Sequence, residues 1–377
     1  MGKIEEMIKR IGPVDEKLME EAQGRLDNLT KPQGSLGRLE ELAKKVVGIT
    51  GKKNPSLRNK VIFTMVGDHG VVEEGVSAFP QEVTPQMVYN FIKGGAGINV
   101  LARHIGARVI VVDMGVKSDI RYPPRNCETI SGTESRKSFG FLGEKSDIRN
   151  FKVKKIGYGT KNMAKRSAMT REEAIKSIEA GIEVFEEEYK KGIDILGLGD
   201  MGIGNTTPSS AVTAVITGRP IEEVTGRGTG VNDGIFENKI KVIEKAIKLN
   251  TPNPKDPIDV LAKVGGFEIG GLAGSFLAAA AHKVPVVTDG FIVTTGALIA
   301  FGLEPKIKDY IFASHSSVEV GHKAILERMG LQPLLDLDMR LGEGTGACLG
   351  ISLIEAGVKI LTEMATFGEA EVSEALK

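Results

Sequence analysis

Val61-Ile-Phe-Thr-Met-Val66, followed at once by Gly67-Asp68-His69-Gly70, decides the fold. An apolar and β-branched run of this length is too short for a helix and suits a strand buried on both faces. The glycine-bracketed polar pair ends the run. The same grammar recurs along the chain. Arg108-Val-Ile-Val-Val-Asp113 follows a helical period. Ile193-Asp-Ile-Leu196 ends in Gly197, Val284-Pro-Val-Val-Thr-Asp289 ends in Gly290, and Tyr310-Ile-Phe-Ala-Ser314 leads into His315. Short apolar runs alternating with helical periods predict an α/β fold with an open, mainly parallel, Rossmann-like sheet and helices on both faces. Such folds bind ligands at the carboxyl ends of their strands. Asp68, Asp200, Asp289 and Ser314–Ser317 fall there.

On either side of this region the pattern is helical. Leu18, Ala22, Leu26 and Leu29 keep a helical spacing, Leu36–Thr50 continues it after the turn Thr30-Lys-Pro-Gln-Gly-Ser35, and Leu349–Lys377 is rich in Ala, Leu, Ile and Glu. Residues 58–348 are expected to form a large α/β domain, with 1–57 and 349–377 joined in a small helical subdomain, because chain ends often lie close. Residues 117–157 lack periodicity and read as a surface excursion.

Composition excludes several classes. Formal net charge is zero and tryptophan is absent, which argues against nucleic acid or a membrane surface as partner. The longest apolar run, Ile269–Ala281, is too short to span a bilayer. Only two cysteines occur, Cys127 and Cys348, without a partner motif, so free thiols and a cytoplasmic setting are expected.

Six glycine-rich or polar segments carry the chemistry. In Asp338-Met-Arg-Leu-Gly-Glu343-Gly-Thr-Gly-Ala347 one carboxylate stands between glycines after an apolar run. It reads as a partly buried proton acceptor, or as a tight turn that happens to carry Glu. Gly197-Leu-Gly-Asp-Met-Gly202 has the form of a dinucleotide fingerprint, but Ile203-Gly-Asn-Thr-Thr-Pro208 is polar where a packed helix would follow. A phosphate contact by Asn205, Thr206 and helix N-terminal amides fits better. Gly226-Arg-Gly-Thr-Gly-Val-Asn-Asp-Gly234 opens a helix carrying Lys239. It is either an anion cradle or a capping loop with Asn232 or Asp233 as N-cap. Asp68-His69 has no carboxylate or histidine partner at metal-ligand spacing, so no metal is expected. The segment from Phe79 and Pro80 to Gln86 and Met87 suits a flat apolar ligand, or a loop pinned by Phe79. Finally, Ser314-His315-Ser-Ser317 lacks a nucleophile elbow, so its hydroxyls read as ligand donors, and His315 and His322 as one helix face.

Together these segments resemble the nicotinate-nucleotide–dimethylbenzimidazole phosphoribosyltransferases. The likeness rests on Lys31-Pro-Gln-Gly-Ser-Leu-Gly-Arg-Leu-Glu40, Gly67-Asp-His-Gly70, Asp200-Met-Gly-Ile-Gly-Asn-Thr-Thr207, Gly228-Thr-Gly230, Asp289-Gly-Phe291, Ser314-His315 and Arg340-Leu-Gly-Glu-Gly-Thr-Gly346. It implies transfer of phosphoribose from nicotinate mononucleotide to 5,6-dimethylbenzimidazole with anomeric inversion, no cofactor and no metal, by a homodimer. The resemblance makes Glu343 the general base. It places Asp200, Gly202, Asn205, Thr206, Gly228, Gly230, Lys239, Asp289 and Ser317 at the nucleotide and phosphate. It places Phe79, Pro80, Gln86, Met87 and Leu341 at the benzimidazole. Asp200 stands where many members carry Glu. Two rivals remain open: a non-catalytic nucleotide sensor on the same fold, and a nicotinamide-dependent oxidoreductase resting on Gly197–Gly202.

Overall fold

The computed structural model describes residues 2–120, 150–228, 230 and 232–373. Its main sheet contains β1 (Lys60–Gly67), β2 (Arg108–Gly115), β3 (Phe151–Val153), β4 (Ile195–Met201), β5 (Val286–Thr288) and β6 (Ile311–Ala313). The order is β3-β2-β1-β4-β5-β6, and every pairing is parallel. The expected α/β class is therefore what forms. The chain moves one way from β1 and then returns to lay β4 on β1's other side, so the topological switch point lies between β1 and β4. A short parallel pair, β7 (His315–Ser316) and β8 (Leu335–Asp336), extends past the carboxyl end of β6.

The helices are α1 (Lys3–Arg10), α2 (Glu16–Asp27), α3 (Arg38–Thr50), α4 (Val83–Lys93), α5 (Gly97–Ile105), α6 (Arg171–Tyr189), α7 (Thr206–Thr217), α8 (Ile221–Val224), α9 (Asp233–Asn250), α10 (Pro257–Val264), α11 (Phe267–Ala281), α12 (Phe291–Leu303), α13 (Val320–Met329), α14 (Thr345–Glu363) and α15 (Phe367–Ala370). Every residue of α11 is buried, because it lies between α6, α12 and the sheet. Helix α14 is longer than the Ile269–Ala281 run and apolar enough to cross a membrane. Here it is a core helix. Ala347, Cys348, Ile351, Ile354, Val358 and Leu361 are buried, and it packs on α3, α5 and β4.

The chain ends meet. Leu26, Leu29, Ala43, Val47 and Leu361 share an apolar cluster, and Leu29 bridges to Thr366. We propose on these contacts that residues 1–57 and 349–377 form a small helical unit beside a large unit of residues 58–348. Helix α1 docks on α6 and α11, and α14 runs across position 348.

The structure differs from expectation in two places. β4 does not stop at Gly197 but runs on through Gly199, Asp200 and Met201. Glycine is a weak strand former, and tertiary contact overrides it. A Cβ at position 197 would lie 2.4 Å from Ile62 Cδ1. Strand β3, inside the stretch read as irregular, is too short to show a period. The part of that excursion at 121–149, with Cys127, lies outside the described residues.

Candidate active site

Glu343 is the best-anchored residue at the strand ends. Its backbone is left-handed, φ 65°, an unusual conformation for a side-chain-bearing residue and one that clusters at functional sites. Three contacts fix it. Its N–H donates to the Asp200 carbonyl at 3.1 Å, its carbonyl accepts from Thr64 Oγ1 at 2.9 Å, and its Oε2 accepts from Ile98 N at 3.0 Å. Asp200 and Thr64 sit on β4 and β1, so Glu343 stands at the switch point. The carboxylate caps the first turn of α5, where N–H groups and the helix dipole favour negative charge. Burial raises its pKa, and the N–H groups of Ile98 and Gly97 oppose the rise. Only 5% of the residue is exposed.

A cavity opens beside it. Asp200, Gly202, Asn205, Thr206, Gly228, Ser317 and Leu341 line it, joined by Phe291, Ile292, His315, Glu319 and Arg340. Its floor is acidic. Asp200 Oδ2 accepts from Asn205 Nδ2 at 2.8 Å. Burial, with Asp289, Glu268 and Glu343 nearby, holds the Asp200 pKa well above the carboxylate range, although Asn205 opposes the shift. Asp289 lies deeper and accepts from Gly344 N and Gly346 N, both at 2.8 Å. Burial pushes it up to about 7 against those two N–H groups. Asp289 thus clamps the start of α14 and with it the Glu343 loop.

Lys239 lies under the cavity wall, not on it. Its Nζ donates to Thr206 Oγ1 at 2.8 Å and to the Gly226 carbonyl at 3.0 Å. Burial lowers it to about 8, opposed by Glu319. Of the two readings of the Gly226–Gly234 loop, the capping one is seen: Asn232 caps α9 by accepting from Ile235 N.

The structure does not bring every expected residue into this cavity: Glu343 and Asp289, both buried, stand behind its lining and not in it. Gly230 is exposed and is not in the cavity lining. Phe79, 48% exposed, Pro80, Gln86 and Met87 also stand outside that lining. Their segment reaches the site through Thr84 Oγ1, which accepts from Ile203 N at 3.1 Å. His315 and His322 do not share a helix face. His315 is on β7 and His322 on α13, with rings 6.2 Å apart, because Val318 and Glu319 break the chain between them. His69 turns to Glu268, with Nε2 2.8 Å from Oε1. Among the described residues no group of His, Cys, Asp or Glu is arranged to hold a metal ion. Sequence reasoning missed Glu268, whose one signal was a lone carboxylate at the head of an apolar helix. It also missed Glu319 and Arg340 as wall residues.

The cavity joins a polar side (Asp200, Asn205, Thr206, Ser317) to an apolar rim (Phe291, Ile292, Leu341) at a switch point where such folds take ligands. A family model described as phosphoribosyltransferase matches residues 11–372. A nicotinate-nucleotide–dimethylbenzimidazole phosphoribosyltransferase from Geobacter sulfurreducens is 56% identical over 99% of both chains. One from Desulforudis audaxviator is 54% identical over 100% of this chain and 99% of its own. The crystal structure of the enzyme from Thermus thermophilus matches with a TM-score of 0.84 at 40% identity, over 96% of this chain and 100% of that one. The protein is thus a pentosyltransferase. Within that class, the chain belongs to the nicotinate-nucleotide–dimethylbenzimidazole phosphoribosyltransferase family. The sensor and oxidoreductase readings give way to this. The latter also loses its turn, since Gly197 and Gly199 are part of β4.

Proposed function

We propose that the enzyme joins nicotinate mononucleotide to 5,6-dimethylbenzimidazole, with Glu343 as general base and inversion at the anomeric carbon. The observation that carries this reading is the buried Glu343 carboxylate, on the same loop as Arg340, Leu341 and Gly342, which line the cavity. The leaving group sets the demand. Nicotinate is attached through a cationic ring nitrogen and departs with that charge neutralised, so it needs no general acid. The nucleophile is the opposite case. One benzimidazole nitrogen attacks C1′ as the C1′–N bond to nicotinate breaks, and the other nitrogen's N–H becomes acidic. Glu343 accepts that proton, and the products are α-ribazole 5′-phosphate and nicotinate. A carboxylate can accept about four hydrogen bonds, so the two α5 N–H groups leave it capacity for the ring. Its raised pKa makes it a better acceptor for this proton.

The phosphate end of the nucleotide lies against Thr206, Asn205 and Gly228, at the N-terminus of α7 and above Lys239. Ser317 and Asp289 complete that side. The base lies against Leu341, with Phe79, Pro80, Gln86 and Met87 closing over it. A homodimer working in the cytoplasm is part of this proposal, and sedimentation of the purified protein tests the dimer. The chemistry is tested by incubating the enzyme with nicotinate mononucleotide and a panel of bases, then determining product mass and anomeric configuration. An α-linked dimethylbenzimidazole riboside phosphate is the expected product. A β-linked product would refute inversion.

A further inference from the structure

His69 and Glu268 form a charge pair sealed beneath the cavity. They are 1% and 0% exposed. Apart from their mutual approach at 2.8 Å, both ring nitrogens and both carboxylate oxygens lack a hydrogen-bond partner among the described residues. Such a pair is a poor device for stability, because desolvating two charges offsets their attraction and an apolar pair of the same shape would serve as well. Yet two glycines make room for it, and a third rests against it. A Cβ on Gly67 would lie 2.7 Å from Glu268 Oε2, and one on Gly266 would lie 2.6 Å from both His69 Cε1 and Glu268 Oε2. A Cβ on Gly202 would first meet the Gly67 carbonyl oxygen, at 2.2 Å, and His69 Nε2 lies in van der Waals contact beyond it, at 3.4 Å. Gly202 is part of the cavity floor, next to Met201 and Asp200.

We propose that the His69–Glu268 pair is a positioning element for the transfer. Wedged under Gly202, it fixes the height of the Asp200–Gly202 floor and, through the Asp200 carbonyl, the place of Glu343. The link is short. Glu268 stands under Gly67 and Gly266, His69 under Gly202, and Asp200 holds Glu343 N at 3.1 Å. Charge acts alongside position. The groups facing the pair and the floor are Asp68 beside His69, then Asp200, Asp289 and Glu343, and Lys117 donates its backbone N–H to Asp68. Burial works against a charged His69, and Glu268 and Asp68 overcome it, so its pKa is raised. Glu268 in turn helps raise the Asp200 pKa.

The proposal rests on the transferase reading of the cavity, but not on Glu343 as base. It is tested with His69→Gln, Glu268→Gln and the double variant, each assayed as the whole enzyme. Expected are losses in kcat of about tenfold or more, of the order a small misplacement of reacting groups produces. The double variant should be no worse than the worse single one, since the two residues act as a unit. The pH profile of kcat should also move in Glu268→Gln, and the movement should vanish in an Asp200→Asn background. Wild-type kinetics and pH profile with only a lowered Tm would overturn the proposal, because that is what a packing role gives. Should the variants fail to fold, nitrogen NMR of wild-type His69 decides without turnover. A ring still doubly protonated above its ordinary titration range is expected, and a neutral ring at pH 6 would overturn the pair. If the ring is charged but the wild type yields no product from nicotinate mononucleotide, the functional reading fails and the pair stands.

Discussion

Gly199 and Glu343 meet backbone to backbone. A side-chain carbon on Gly199 would lie 2.2 Å from the Glu343 carbonyl carbon and oxygen. The strand interior is bare at this point so that the loop carrying the carboxylate can rest on it. Gly199→Ala is therefore expected to push the loop away from β4. Overpacking of this kind costs about 1–3 kcal/mol of stability, and displacement by about 1 Å costs roughly 10²-fold in rate. Thermal unfolding and steady-state kinetics on one preparation check both. A variant with unchanged kcat would show that the contact does not place Glu343.

Glu343→Gln keeps the shape and the α5 cap but cannot take a proton. Turnover is expected to fall by about 10²–10⁴-fold, the usual worth of a positioned base. Nucleotide affinity, measured by calorimetry, is expected to stay within about twofold, since the change removes a transition-state contact and not uniform binding. Full activity in this variant would remove Glu343 as the base.

In the proposed binding mode, Lys239 offers positive charge beneath the phosphate end only while protonated. With its pKa lowered to about 8 in the free enzyme, nucleotide affinity is expected to decline as pH rises through that value, with free-base affinity unaffected. Lys239→Met should abolish this decline and weaken nucleotide binding at every lower pH. Titrations with each ligand between pH 6 and pH 9.5 separate the two cases, and equal losses for both ligands would argue against a phosphate role.

Asp289 gives stability a distinctive pH dependence. Its carboxyl ionises near pH 4 when unfolded, about 3.9, and at about 7 when folded. Between these values the folded state holds a proton that the unfolded state has released, so this group's contribution falls as pH rises from about 4 to about 7. Asp289→Asn is expected to flatten that part of the Tm–pH curve. It also lowers Tm throughout, because one of the N–H groups of Gly344 and Gly346 loses its acceptor.

The sheet was legible because β1 and β2 are apolar along almost their whole length, a pattern only a doubly covered strand needs. Asp200, Thr206, Asp289 and Glu343 stood out for a related reason, as polar residues punctuating apolar runs. What stayed hidden depends on contacts distant in sequence. Nothing local to Gly197-Leu-Gly199 reveals that Ile62 and Glu343 occupy the missing side chains' space. Nothing local to Lys239 says it lies beneath Thr206 and not in the open. Glu268 was masked by the apolar helix it heads. Its meaning depends on His69, which sits at the end of a strand laid down far earlier in the chain.

The bond from Thr64 to the Glu343 carbonyl spans 279 positions. During synthesis the cradle strands leave the ribosome long before the residue they receive. β1 and β4 can pair while α14 is still untranslated, but the catalytic centre is assembled only when that helix docks and Asp289 clamps its first turn. A nascent chain can therefore pair those strands before the residue they receive exists.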